Sequence, residues 1–142
     1  MCSSDLFALT NQASGSSRTY VALCGREIAG YYSLTPSSVS HAEAPPRVSQ
    51  GLAKREIGVV LMARFAVDKG HQGKGVGRSL FFDAMARSLQ AADAIGGRAF
   101  LVHTKDEEAR SFYTKFNMTP APGNSMHLFM LFKDIRKTLA AV

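Results

Sequence analysis

Hydrophobic and polar positions divide the chain into short strand-like runs and two longer helical tracts. Residues 19–24 and 27–34 are rich in β-branched and aromatic side chains, and Gly25-Arg26 between them predicts a hairpin. Residues 36–55 carry Pro36, Pro45, Pro46 and Gly51 among small polar residues, which predicts a loop with at most one short helix. Residues 57–67 give the strongest strand signal, long enough to cross the centre of a sheet. Val76, Leu80, Phe81, Ala84, Met85, Leu89, Ala92 and Ile95 then recur at three- and four-residue intervals, the signature of an amphipathic helix stopped by Gly96-Gly97. A strand over 98–104 and a helix over 106–116 follow, the helix carrying Ala109, Phe112, Tyr113 and Phe116 on adjoining faces. Pro120, Pro122 and Gly123 interrupt the pattern, residues 126–132 read as a final strand, and residues 133–141 form a basic tail able to be helical. No internal repeat is visible.

At 142 residues the chain has room for one domain, read as spanning 1–142, with a single core. Its 46% hydrophobic and 20% charged residues suit a globular protein and are too apolar for intrinsic disorder. No run approaches the roughly eighteen apolar residues of a membrane span. The start lacks a basic stretch followed by an apolar one, so no signal peptide is expected and the predicted location is cytoplasmic. Cys2 and Cys24 lack metal spacing and are too few for a disulfide framework, so both are expected as free thiols and no metal site is expected. Seventeen Lys and Arg against eleven Asp and Glu leave +6, which favours an anionic partner.

An anion is also what the most distinctive local feature would hold. Gln72-Gly73-Lys74-Gly75-Val76-Gly77 lies between a strand and a helix, where backbone N–H groups can converge on a phosphate. The helix start adds its positive dipole end, and Lys74 and Arg78 add full charges. A Walker loop would need Ser or Thr after Gly73-Lys74, and Gly75 stands there instead. A dinucleotide fold would put the loop after the first strand of a parallel sheet, whereas this one follows at least three strands.

With Phe65-Ala66-Val67-Asp68 before it, Gln72-x-x-Gly75-x-Gly77 resembles motif A of the GNAT acetyltransferases. The resemblance implies an α+β, three-layer fold with a mixed α/β sheet and acetyl-CoA as acetyl donor. It also implies that Phe65, Ala66 and Val67 pair with the pantetheine arm. Gln72, Gly73, Lys74, Gly75, Val76, Gly77 and Arg78 would then hold the pyrophosphate. In Asp106-Glu107-Glu108-Ala109-Arg110-Ser111-Phe112-Tyr113, the resemblance makes Tyr113 the catalytic residue, a phenol able to protonate the departing thiolate. The general base stays open between His103, Glu56, an ordered water and an amine that is already neutral.

Several phrases are similar to the toxin branch of the GNAT enzymes: Asn11-Gln12-Ala13-Ser14-Gly15, Arg18-Thr19-Tyr20-Val21, Gly30-Tyr31-Tyr32-Ser33-Leu34 and Leu61-Met62-Ala63-Arg64-Phe65-Ala66-Val67, which together with Leu128 to Ile135 cover most of the chain. That branch implies acetylation of the amine of aminoacyl-tRNA, a block on translation, a ribbon-helix-helix antitoxin and a homodimer. Arg18, Arg47, Lys54, Arg55, Lys105, Arg110 and Lys115 would line the tRNA path as phosphate contacts. A general GNAT enzyme acting on a small amine or a protein lysine, and an inactive module binding coenzyme A or antitoxin, are the alternatives.

Two departures accompany the resemblance. Phe116-Asn117-Met118 replaces Phe-Gly-Phe, a change Asn tolerates because it adopts the left-handed conformation. Only eighteen residues precede Thr19, so the fold is expected to lack the usual first strand and most of the first helices. Met1-Cys2-Ser3-Ser4-Asp5-Leu6 resembles the translation of a sequencing-adapter end from a GTG start, which would put the native beginning near Phe7.

Overall fold

The computed structural model describes residues 4–10 and 17–141, the first stretch by its backbone alone. Seven strands form one sheet: β1 (Ser4–Thr10), β2 (Arg18–Cys24), β3 (Glu27–Val39), β4 (Ile57–Val67), β5 (Ala99–His103), β6 (Thr119–Ala121) and β7 (Asn124–Leu131). Their order is β1-β2-β3-β4-β5-β7-β6, with β4 and β5 parallel and the other neighbours antiparallel. Four helices accompany them: α1 (Pro46–Ser49), α2 (Val76–Ile95), α3 (Glu107–Thr114) and α4 (Phe132–Ala140). A parallel pair needs a crossover, and α2 supplies it between β4 and β5.

Each face of the sheet carries its own core, giving three layers. On one face α2 buries Val76, Leu80, Phe81, Ala84 and Met85, at the spacing its sequence pattern foretold. They pack with Tyr32, Met62, Phe100, Val102 and Leu128 from the strands and Ile135 from α4. On the other face Ala44 and Val48 cover Ile57, Val59, Ala99, Leu101 and Phe129. Each Val, Leu, Ile, Phe or Met among them contributes about 1.5–3 kcal/mol when fully buried. A polar tie also holds α2 to the sheet: the Tyr32 hydroxyl donates to Asp83, which accepts from Arg87 Nε at 2.9 Å. The Arg87 guanidinium lies 4.3 Å from the centroid of the Tyr20 ring.

Several expectations change. The first strand is not lacking, because β1 pairs with β2 from Ser4↔Cys24 to Thr10↔Arg18 and so satisfies an edge that would otherwise be open. No helix precedes β2 among the described residues. The phrase Asn11-Gln12-Ala13-Ser14-Gly15 lies outside them. So do Met1, Cys2 and Ser3 of the adapter-like hexapeptide. Cys24 is disulfide-bonded rather than free, a pairing in space that a count of two cysteines cannot reveal. The loop expected from Pro36 begins later, since β3 runs on to Val39. Beyond Leu34 that strand pairs with β4 alone, so a residue without an N–H is accommodated there. Asn117 takes φ 65°, as a residue replacing glycine should. Among the described residues no helix is long and apolar enough to cross a membrane.

Candidate active site

The sheet forks where β4 and β5 part. Their pairing runs from Val59↔Ala99 to Met62↔Val102 and stops. Next to that point the register between β3 and β4 shifts, with Leu34 opposite Met62 and Ser33 opposite Arg64, so Ala63 is an extra residue. Such a bulge bends its strand and strengthens the local twist, turning the end of β4 away from β5. Phe65, Ala66 and Val67 stay paired with Tyr32, Tyr31 and Gly30, and among the described residues no strand pairs their other edge. Apart from Val67 O, which accepts from the Gln72 side chain, the backbone groups on that edge are open to a ligand that runs alongside.

The glycine-rich loop stands at the mouth of this fork. Gly73 and Gly75 take φ of 81° and 80°, open backbone positions where an added Cβ meets nothing within 4 Å. Gly75 caps the 20-residue α2 without any side-chain hydrogen bond. The helix ladder starts with Ser79 N–H donating to Gly75 O, which leaves the amides of Val76, Gly77 and Arg78 without intrahelical acceptors. Three unused donors and the positive end of a long helix suit a pyrophosphate. The approach to the loop is braced, with Asp68 accepting from Gly70 N–H at 3.0 Å and buried His71 meeting Glu27 at 3.2 Å. Gln72 Nε2 donates to Val67 O at 3.3 Å, so its side chain joins loop to strand. Lys74 is exposed, and the Arg78 guanidinium lies 4.9 Å from the Phe82 ring and 5.7 Å from Phe116.

A cleft of about 540 Å³ joins these parts, lined by Phe65 and Val67, by Gln72, Gly73, Gly75, Gly77 and Arg78 of the loop, and by the start of α3 with Lys105, Asp106, Glu108, Phe112 and Tyr113. Tyr113 is carried by α3, whose start is fixed by the Asp106 carboxylate accepting from Ala109 N–H at 2.8 Å. Its ring stands edge-on to Phe65 at 5.9 Å and lies 5.4 Å from Phe81. Burial leaves it 5% exposed and pushes its pKa well above the usual phenol range, so the hydroxyl keeps its proton at neutral pH. That hydroxyl makes no hydrogen bond among the described residues, although its neighbour Arg110 does, with Nε donating to Ser125 O at 3.0 Å.

The seven basic residues do not form one track. Lys105 lines the cleft just before α3, whereas Arg110 on α3 and Lys115 at its end lie outside the lining, and Arg110 is also within 3.7 Å of Glu107. Lys54 and Arg55 occupy the exposed approach to β4, where Arg55 shares a groove with Ile95 and Arg98. That is the far end of α2, about 30 Å from the loop at 1.5 Å per residue. Arg47 is committed to Asp134 at 2.5 Å, and Arg18 sits exposed on β2 opposite Leu34. Glu56 lines the same remote groove, roughly 23 Å along β4 from Ala63, too far to act as a base at the fork. His103 is differently placed, as the first residue of β5 beyond its last pair with β4. Its ring stacks on His127 with centroids 3.9 Å apart and planes at 13°. His127 and Arg64 escaped attention in the sequence because only strand register and the bulge bring them to the fork.

The family profile described as Acetyltransferase (GNAT) domain matches residues 15–117. The chain is 43% identical over 129 residues to a tRNA-acetylating toxin of Mycobacterium tuberculosis, covering 91% of this chain and 77% of that protein. It is 26% identical over 123 residues to a probable toxin TacT of Sinorhizobium fredii, covering 81% and 68% respectively. Among solved structures, AtaT complexed with acetyl-methionyl-tRNAfMet superposes with a TM-score of 0.80 at 28% identity, covering 87% of this chain and 76% of that one.

Proposed function

Because the chain belongs to the GNAT acetyltransferase family, we propose that it transfers acetyl from acetyl-CoA to the amine of an aminoacyl-tRNA and thereby withdraws charged tRNA from translation. The observation that carries this reading is the meeting of three features in one cleft: the open loop, the unpaired edge of β4 and the protonated Tyr113. Acetyl-CoA supplies an activated acyl carbon on a thiolate leaving group. The amides of Val76, Gly77 and Arg78 hold its pyrophosphate, with Lys74 nearby as a point charge. The free edge along Phe65, Ala66 and Val67 aligns the arm, which brings the thioester toward the fork. Tyr113 Oη holds the proton that the departing sulfur takes. The α-amino group of an aminoacyl ester has an ordinary pKa near 7.7–8.0 or below, so a useful fraction is neutral without a side-chain base.

The tRNA acceptor draws support from the named relatives and from the +6 charge, with Lys105 at the cleft, Arg110 on α3 and Lys115 at its end as candidate phosphate contacts. A cytoplasmic enzyme held in check by a ribbon-helix-helix antitoxin, and acting as a homodimer, is the corresponding biological setting. Incubation with acetyl-CoA and charged tRNA should give N-acetylated aminoacyl-tRNA. Tyr113→Phe should lower kcat at least a hundredfold while acetyl-CoA still binds, in line with the usual ~10²–10⁴ of general acid catalysis. Inert charged tRNA beside rapid turnover of polyamines or peptides would replace the reading with that of a general amine acetyltransferase.

A further inference from the structure

The face of the sheet opposite α2 changes character at the fork. Behind the fork that face is apolar, with Leu61, Leu101 and Phe129 side by side on β4, β5 and β7 under the cover of α1. One step further along each strand the same face presents Arg64, His103 and His127. The step is two residues on β5 and β7 and three on β4, where the Ala63 bulge adds one. At this end Arg64 and His103 are exposed and His127 is half-buried.

Three properties suit this patch to a nucleoside. The imidazoles of His103 and His127 are stacked almost parallel, so one face of the exposed ring is left for a third planar group. Burial, and secondly the neighbouring His127, lower the His103 pKa, which keeps the ring uncharged at neutral pH. Arg64 makes no ion pair or hydrogen bond among the described residues and stands across the fork as a free cation. Glu43, a carboxylate close enough to act on His127, is engaged by Ser40 N–H at 2.8 Å. Unpaired bases are bound by stacking on aromatic side chains and by cations at the adjoining phosphate.

We infer that this second face of the fork seats the terminal nucleoside of the acceptor, with the His103–His127 stack meeting its base and Arg64 its phosphate. The inference rests on the aminoacyl-tRNA reading and adds how that substrate is told apart from other amines. Tyr113 and the loop work from the helical face, so an acceptor anchored on the opposite face reaches the acyl carbon through the gap between β4 and β5. His103 and His127 are then positioning residues.

The test compares charged tRNA with the methyl ester of the same amino acid, which has the amine and no nucleoside. His103→Ser should raise the KM for charged tRNA about tenfold and lower the tRNA-to-ester selectivity by the same factor. His103→Phe, which restores a stacking surface without a titratable nitrogen, should return selectivity to within about twofold of the parent. Arg64→Gln should weaken tRNA binding and reduce its salt dependence by about one phosphate contact. Equal losses on both acceptors in His103→Ser, or a phenylalanine variant as poor as the serine one, would overturn the inference. Anisotropy with an uncharged CCA-ended minihelix separates the two levels. If no charged tRNA is acetylated the functional reading fails, while minihelix binding that is equal in the parent and His103→Ser sinks the nucleoside seat by itself.

Discussion

Gly30 is the tightest point between the sheet and the helix that carries the loop. A Cβ placed on it would stand 2.7 Å from Ala66 O, 2.7 Å from Leu80 Cδ1 and 3.4 Å from Val67 Cα. The leucine cannot turn aside cheaply, because it is fully buried among packed neighbours. The carbonyl is backbone, so Gly30→Ala must push the end of β4 or lift α2 by several tenths of an ångström. Overpacking of this kind costs about 1–3 kcal/mol. At about 4 °C per kcal/mol for a chain of this length, the melting temperature should fall by about 4–12 °C. The displaced segment is the one expected to align the pantetheine arm, and Gln72 hangs from Val67 O. The KM for acetyl-CoA should therefore rise as well. Gly58→Ala is the control, since a Cβ there meets nothing within 4 Å and the site is exposed on the neighbouring strand β4. Calorimetry or circular dichroism reads stability, and release of free thiol reads turnover. A Gly30→Ala protein melting within 1 °C of the Gly58→Ala control, a threshold of about 0.25 kcal/mol, would show that the contact is relieved at no cost and that this packing argument is wrong.

Two further outcomes are expected. Gly75→Ala and Gly51→Ala both place an L side chain at φ near +80° with open space around it, at 80° and 78° respectively. Each should lose about 1–2 kcal/mol of stability, but only Gly75→Ala should lose acetyl-CoA affinity by calorimetric titration, and equal affinities would remove the loop from the site. On the acid side, His103 has its pKa lowered below 6.5 by burial and Asp134 is held below 3.8 by the hydrogen bond from Arg47. In both cases the unfolded chain takes up protons first, so stability present at higher pH is lost as pH falls, from about 6.5 downward for the histidine and below about 4 for the aspartate. Melting curves at stepped pH should show the first decline flattened in His103→Phe, and an unaltered slope would contradict the assigned shift.

Local chemistry made much of this protein readable in advance. The helix over 76–95 was visible because its buried positions repeat with the helical period and because Gly75 and Gly96, at φ of 80° and 94°, end it where side chains would be strained. The glycine-rich loop was visible for the same reason, since its glycines and the helix start lie within a few residues of each other. Tyr113 was named through resemblance; that it is buried at the cleft and keeps its proton comes from Phe65, Phe81 and Phe112 closing around it.

What only the tertiary structure decided is the fork and everything arranged around it. The Ala63 bulge, the His103↔His127 register, the pairing of Arg47 with Asp134 and the remoteness of Glu56 and Arg55 from the cleft all join or separate residues far apart in the chain. Periodicity reports which side of an element is buried, because that depends on bonds within one or two turns. Register depends on the sum of packing across several strands at once, and a one-residue slip exchanges the two faces. The sequence could therefore announce a glycine-rich loop at a helix start, while the second face opposite it came into view only once the strands were paired.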